Sequence, residues 1–512
     1  MGGTERVTTT VLDTFDGRLA AAGLRLELTM SSGLRRSRSG ELVLADRTGA
    51  AARLAVAEAP RTPGDLPAGP MRLRLARLLD VRVLGALVTV DAQRTVATKR
   101  NRAGKITAAA VVYTDATAGD RELPGTMVDV NELAGYPAPA AELREHLEAA
   151  GMRPAGASVV ELAAVAVGAD LRGHTHAPGI AIDPGGPARA GFRAVLANLR
   201  DAVVANWAGT IDDTDPEFLH DLRVAVRRTR SVLANAKGAL PAAVRDEARD
   251  DFGWLGQITG PARDLDVYQI EWPTYTVDLP VETTTALEPV RSQLQREREA
   301  AHRELAREMA GSRARLVIDR WNRWLDDATE RPADPGIAPG ADAGGQTIEP
   351  SERSADEPIG PLIAKRIRRA HRTMIERGRT ITPDTAAEEL HELRKDAKKL
   401  RYLLECFGGL YDRAARKTFG KRLKSLQDNL GEHQDAEVHV AHLRELSDRT
   451  SAGAGTDTVL ATGQLIERME QRRVAAREEF AGRFDRFDSE PTRRALDALL
   501  SGASPAPPGT GP

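Results

Sequence analysis

The chain has 512 residues, with 72 Lys+Arg against 74 Asp+Glu and a formal net charge of −2. Hydrophobic residues at 41% and charged residues at 29% describe several globular domains, and exclude a wholly disordered chain or one built on spans of ~20 apolar residues. One cysteine, Cys406, excludes an internal disulfide and a cysteine-based metal cluster, while 4% aromatics argue against base-stacking recognition of single-stranded nucleic acid.

The opening MGGTERVTTT lacks a basic-then-apolar signal pattern, so a cytoplasmic protein without a membrane partner is expected. Residues 1–170 read as an antiparallel α+β domain. Apolar and polar residues alternate in Leu24-Arg25-Leu26-Glu27-Leu28, Arg53-Leu54-Ala55-Val56-Ala57 and Thr126-Met127-Val128-Asp129-Val130. The runs Leu87–Lys99 and Ile106–Tyr113 flank Asn101-Arg102-Ala103-Gly104, a hairpin signal. A short helix is expected near Ala138–Ala150, ended by Gly151. From Pro187 the period changes from two to 3.6. Helical segments fill 187–330 and 359–500. The Pro-, Gly- and acid-rich stretch 331–358 reads as a disordered linker, and 501–512 as a disordered tail.

An internal repeat organises the helical half. The segment from Glu217 through His220, Leu222, Arg223, Arg227, Arg228 and Arg230 matches Glu388 through His391, Leu393, Arg394, Lys398, Lys399 and Arg401 at an offset of 171 residues. The same offset carries Leu255 to Leu426, Gly260 to Gly431 and Asp264 to Asp435.

Placed on a helix at about 100° per residue with His220 at zero, Leu219, Leu222, Val226 and Leu233 fall at about 200–260°, a core stripe. Arg223, Arg227 and Arg230 fall beside it at about 280–340°. In the second copy Leu390, Leu393, Ala397 and Leu404 form the core stripe, and His391, Arg394, Lys398 and Arg401 the basic one. Arg228, Lys395 and Lys399 are expected to face outward. Like charges at i,i+4 cost ~0.2–0.5 kcal/mol per pair, and no acid is expected on that face to relieve them. The cost makes sense if a polyanion fills the groove, since guanidinium forks match phosphate oxygens. A stripe ~15 Å long suits a linear chain of phosphates. Arg416, Lys417, Lys421 and Lys424 add a second basic run at helical spacing, absent from the first copy, where Asp246, Asp250 and Gly253 stand instead. Asp264, Asp266, Asp435 and Glu437 fit a helix N-terminus, or pairing with Arg263 and other cations, better than metal ligation; no metal or cofactor is expected.

These motifs, His-x-Leu-Arg with Arg or Lys on the following turns, then Gly-x-x-Arg-Asp-x-Asp-Val and Leu-Gln-Asp-x-Leu-Gly-x-x-Gln-Asp, resemble the CHAD family over about residues 187–500. The resemblance implies an all-α domain of two pseudo-symmetric helical bundles with a basic groove, binding inorganic polyphosphate and associating with polyphosphate granules. It implies a binding set of His220, Arg223, Arg227 and Arg230 with His391, Arg394, Lys398 and Arg401. Residues 1–170 resemble the CYTH, or triphosphate tunnel, domain in degenerate form, through Leu12-Asp13-Thr14-Phe15-Asp16, the Arg94–Gly104 hairpin and Val128-Asp129-Val130-Asn131-Glu132. The metal-binding Glu-x-Glu of that fold is missing from Glu5-Arg6-Val7-Thr8-Thr9-Thr10. The expectation is therefore binding without catalysis. Two alternatives remain: a metal-dependent triphosphatase with a recruiting helical domain, and a nucleic-acid binder.

Overall fold

A computed structural model describes residues 4–31, 39–47, 51–133, 135–173, 180–326, 354–450 and 455–501. The chain divides into two compact units, Met1–His176 and Ala177–Pro512.

The first unit is an antiparallel sheet of strands β1 (Glu5–Asp13), β2 (Leu24–Ser31), β3 (Ser39–Asp46), β4 (Ala51–Val56), β5 (Gly85–Arg100), β6 (Ile106–Ala118), β7 (Arg121–Glu122) and β8 (Met127–Glu132). Their order is β4-β3-β2-β1-β5-β6-β7, with β8 also on β6. The turn between β5 and β6 closes on Gly104, whose φ of 78° a side chain would strain. Four helices join the sheet: α1 (Arg18–Ala21), α2 (Pro70–Leu79), α3 (Pro137–Ala149) and α4 (Val159–Val167). Period-two alternation serves two cores. Leu12 joins Leu24, Leu26 and Leu28 with Leu75 and Leu79 of α2, whereas its neighbour Val11 joins Val88 and Val90 with Val159 and Ala163 of α4. Helices α2 and α4 were not anticipated from sequence. Buried Asp13 accepts from the amides of Thr14, Leu19 and Ala20 and so ties β1 to α1.

The second unit is all helical: α5 (Ala188–Ile211), α6 (Pro216–Asn235), α7 (Ala242–Ile258), α8 (Gly260–Thr276), α9 (Val281–Ala286), α10 (Glu288–Ala310), α11 (Ser312–Asp326), α12 (Ile359–Gly378), α13 (Ala387–Cys406), α14 (Arg413–Thr450), α15 (Thr456–Phe487) and α16 (Glu490–Ser501). The bounds of α6 and α13 differ by 171 residues at both ends, as do the starts of α5 and α12 and of α7 and α14. Asp215 caps α6 by accepting from the Glu217 amide at 3.0 Å, with Pro216 at the first position, where its missing N–H costs nothing. Pro261 separates α7 from α8. Its counterpart Glu432 has an N–H to donate, and α14 runs on unbroken. The stripes Leu219, Leu222, Val226, Leu233 and Leu390, Leu393, Ala397, Leu404 are buried in one continuous cluster.

Residues 331–353 of the expected linker lie outside the described residues, and so does the tail from 502. The end of the linker, 354–358, differs from the expectation of disorder. The Ala188 amide donates to the Glu357 carbonyl at 2.8 Å and the Arg189 amide to that of Ala355 at 3.0 Å. Reciprocally, the Ile359 amide donates to Gly186 at 2.9 Å and the Gly360 amide to Pro184 at 2.9 Å. Its polar composition hid this role, because the bonds are made by backbone that carries no composition signal.

Candidate functional site

Helices α6 and α13 pack against each other, so the two basic stripes meet. On α6, Arg223 is largely buried and its Nη1 donates to Thr259 Oγ1 at 3.1 Å and to the Gly256 carbonyl at 3.3 Å. Burial pushes this guanidinium down to about 10, against the pull of Asp264. The Nε atoms of Arg223 and Arg227 are buried without a hydrogen-bond acceptor among the described residues. Two orphaned donors on one stripe are costly, about 1–3 kcal/mol each, unless something accepts from them. Arg230 is exposed and His220 half-buried.

On α13, His391 Nδ1 meets Gln434 Oε1 at 2.5 Å. Arg394 Nη2 donates to Asp435 Oδ1 at 2.9 Å. Burial, reinforced by Arg394, Arg227 and Arg401, pushes Lys398 down to about 8. Arg227 belongs to the first repeat and Lys398 to the second, so their mutual repulsion comes from one shared site.

That site is a cleft of about 670 Å³. Arg227, Arg230, Arg249 and Arg313 line it from the first repeat, and Lys395, Lys398 and Lys399 from the second; Asp250 is the one carboxylate among the lining residues. Trp254 and Tyr402 complete the wall, with the Arg313 guanidinium 4.5 Å over the Trp254 ring. Lys395 and Lys399 thus line the cleft while staying exposed as the helical wheel expects, at 51% and 61%, and pair with Glu392 at 2.7 Å and Asp396 at 2.9 Å. A wheel assigns angles on one helix but not the sector that its neighbours leave open. Arg228 does not face solvent alone either: it donates to Glu405 of α13, Nη2–Oε2 at 2.6 Å.

The family model for the CHAD domain matches residues 194–444. This chain carries a CHAD domain. Two uncharacterized proteins of Mycobacterium tuberculosis, one from each of two strains, are 27% identical to it over 321 residues. The match covers 61% of this chain and 56% of theirs, so the chain spans little more than half the length of these curated relatives. Among solved structures, the CHAD domain from the plant Ricinus communis is 25% identical, covering 63% of this chain and 96% of that one, with a TM-score of 0.44. PptA from Streptomyces chartreusis is 19% identical, covering 58% and 99%, with a TM-score of 0.41.

Within the CHAD domain the acids are partly relocated from expectation. Asp435 reaches the basic stripe from α14, Asp264 approaches it from α8, and Glu405 follows Arg401 by one turn on the same face and accepts from its Nε at 2.5 Å. The stripe is therefore partly neutralised by carboxylates, most of them from helices that no wheel of α6 or α13 includes. Asp266 is fully buried and pairs with Arg298 at 2.7 Å and His302 at 2.9 Å, both of α10. Sequence reasoning missed these two; their i,i+4 spacing on one helix was the available signal. Glu437 accepts from Gln434 at 3.2 Å. Arg416, Lys417, Lys421 and Lys424 occupy the first turns of α14 and do not line the cleft; Lys424 pairs with Asp428 at 2.6 Å.

The sheet unit has its own cavity of about 610 Å³, lined by Thr9, Arg25, Glu27, Tyr113, Asp129 and Arg144 among others. Burial raises the carboxyls of Glu27 and Asp129, which also repel each other. Glu27 was not singled out from sequence. Arg25 already holds it at 2.9 Å, and β1 contributes Thr9, not an acid, to the cavity lining. Three carboxyls line the cavity, Glu27, Asp129 and Glu148, but with Glu27 tied to an arginine they do not fit a divalent ion bridging phosphates, and no group of three His, Cys, Asp or Glu side chains converges to hold one among the described residues. Arg25, Arg144 and Arg153 line this cavity, whereas other basic residues of the unit are dispersed: Arg94 pairs with Glu5 at 2.6 Å, Lys99 with Glu142 at 2.6 Å, and Arg100 and Arg72 donate to backbone carbonyls.

Proposed function

We propose that the CHAD domain binds inorganic polyphosphate in the cleft between α6 and α13, without catalysis, and that the protein associates with polyphosphate granules. The observation that carries this reading is the convergence of Arg227 and Arg230 with Lys395, Lys398 and Lys399 on one cleft, together with the buried Nε of Arg227, which has no acceptor among the described residues. Charge repulsion and unmade hydrogen bonds are both relieved by one ligand class, an oxyanion chain with acceptors on every unit. Of the expected set, Arg227, Arg230 and Lys398 line the cleft with Lys395 and Lys399, and His220, Arg223, His391, Arg394 and Arg401 extend the basic stripes along α6 and α13 outside its lining. No described helix is long and apolar enough to cross a membrane. Titration with long-chain polyphosphate, duplex DNA and RNA at matched phosphate concentration tests the reading. Polyphosphate is expected to bind at least tenfold more tightly than either nucleic acid. Equal affinity for all three would replace the reading with a general polyanion surface.

A further inference from the structure

The row of cations does not stop at the cleft. Arg401 lies one turn beyond Lys398 on α13 and contributes to the repulsion felt there. Its Nε donates to Oε1 of Glu405 at 2.5 Å. The other oxygen of that carboxylate accepts both Nη2 and Nε of Arg228 from α6, at 2.6 and 3.1 Å. Two guanidinium groups, one from each repeat, therefore converge on two oxygens of one carboxylate, an arrangement a phosphate group would also satisfy. The position 171 residues earlier is Ala234, so the first repeat has no such carboxylate. Beyond Arg401 the field of Asp428 acts on the guanidinium, and Asp428 holds Lys424 Nζ at 2.6 Å. Lys424 leads to Lys421 and Lys417 on exposed turns of α14. Cations and acids thus follow one another from Arg230 and Lys398 in the cleft, through Arg401 with Glu405, to Asp428 with Lys424 at the basic run. Arg228 and Glu405 are mostly covered, at 22% and 24% side-chain exposure, whereas Arg401 is 50% exposed and is the arm able to change partner.

We propose, resting on the polyphosphate reading above, that Glu405 is a built-in placeholder for a phosphate, and that it sets chain-length preference. A long chain emerging from the cleft takes Arg401 from Glu405 and continues over Lys424 and Lys421. A short chain held by the cleft alone leaves Glu405 on both arginines.

The test uses the full chain with Glu405→Gln, which keeps the shape but removes the charge and leaves one accepting oxygen for two arginines. Wild type and variant are titrated with long-chain polyphosphate and with tripolyphosphate at several salt concentrations. Long-chain affinity is expected to rise at least fivefold with a steeper salt dependence, since released guanidinium groups add phosphate contacts. Tripolyphosphate affinity is expected to change less than twofold. Glu490→Gln on α16 makes the same charge change and is expected to alter neither. Glu405→Asp retains the charge but is too short to hold both arginines, and should give a smaller gain in the same direction; it also reads the proposal should the Gln variant not fold. An equal gain for both chain lengths, or the same gain in Glu490→Gln, would reduce the effect to net charge and overturn the placeholder. Unchanged or weakened binding in the Glu405 variants would overturn it too, leaving Glu405 a clamp between α6 and α13. If wild type binds no polyphosphate at all, the cleft reading itself falls.

Discussion

Lys398 holds the sharpest conflict of charge in the cleft. It is half-buried and repelled by Arg394, Arg227 and Arg401, so it begins to lose its proton near pH 8. A polyanion prefers the protonated form. Polyphosphate affinity should therefore be highest below pH 8 and fall as pH rises from about 7 to 9, with proton uptake on binding near pH 8. Lys398→Arg should flatten this dependence, because guanidinium stays charged throughout. Calorimetry in buffers of different ionisation enthalpy would detect the proton directly. Arg227→Gln should weaken binding by roughly ten- to a hundredfold, the worth of a charge-assisted hydrogen bond of about 1.5–3 kcal/mol. Lys395, Lys399, Arg394 and Arg401 are each paired with an acid, so position and not pairing ranks them. Lys395→Glu with Lys399→Glu should weaken binding at least as much as Arg394→Glu with Arg401→Glu, because only the two lysines line the cleft. A titration comparing the two double variants, in protein shown by circular dichroism to stay helical, checks this.

At the scale of elements, α6 and α13 hold the cleft by burying apolar stripes in a shared core. Leu222 and Leu393 are fully buried and lie at equivalent positions. Truncating either to Ala should cost about 2–5 kcal/mol in urea unfolding, the usual toll of a buried leucine plus the cavity left behind. The junction of the repeats depends on close approach. A Cβ added at Gly191 of α5 would stand 2.8 Å from Ile359 Cγ1 at the start of α12. Gly191→Val should therefore destabilise the helical unit by roughly 1–3 kcal/mol through overpacking, measured as a lower urea midpoint at unchanged slope.

At the scale of the whole molecule, the two units differ in how they treat charge. The helical unit gathers seven cations against one carboxylate in its cleft, whereas the sheet unit's cavity mixes Arg25, Arg144 and Arg153 with Glu27, Asp129 and Glu148, and burial raises the first two of those carboxyls. The full chain should release no phosphate from triphosphate or ATP above background with Mg²⁺ or Mn²⁺, since metal-bridged phosphate needs clustered carboxylates. Metal-dependent release abolished by Asp129→Ala would show that the sheet unit assembles a catalytic site from other acids.

Periodicity alone determined which stretches are strands or helices, because burial on one face leaves its period in the chain: the β5–β6 hairpin, and the helices bearing Leu219–Leu233 and Leu390–Leu404. The offset of 171 residues was likewise legible, since equal positions keep equal chemistry. Helices α2 and α4 escaped because they are short and mostly apolar: Met71-Arg72-Leu73-Arg74-Leu75 alternates as a strand would, and VVELAAVAV has too few polar residues to show a period. Only the tertiary structure decided the site. Which sector of α13 stays open depends on where α6 lies, and that brought Lys395 and Lys399 into the cleft. Glu405 was legible as the i,i+4 partner of Arg401 on α13, whereas Asp435, 41 residues from Arg394 on α14, was not. Electrostatic partners are chosen by distance in space, and the order of residues constrains that distance only within one helix.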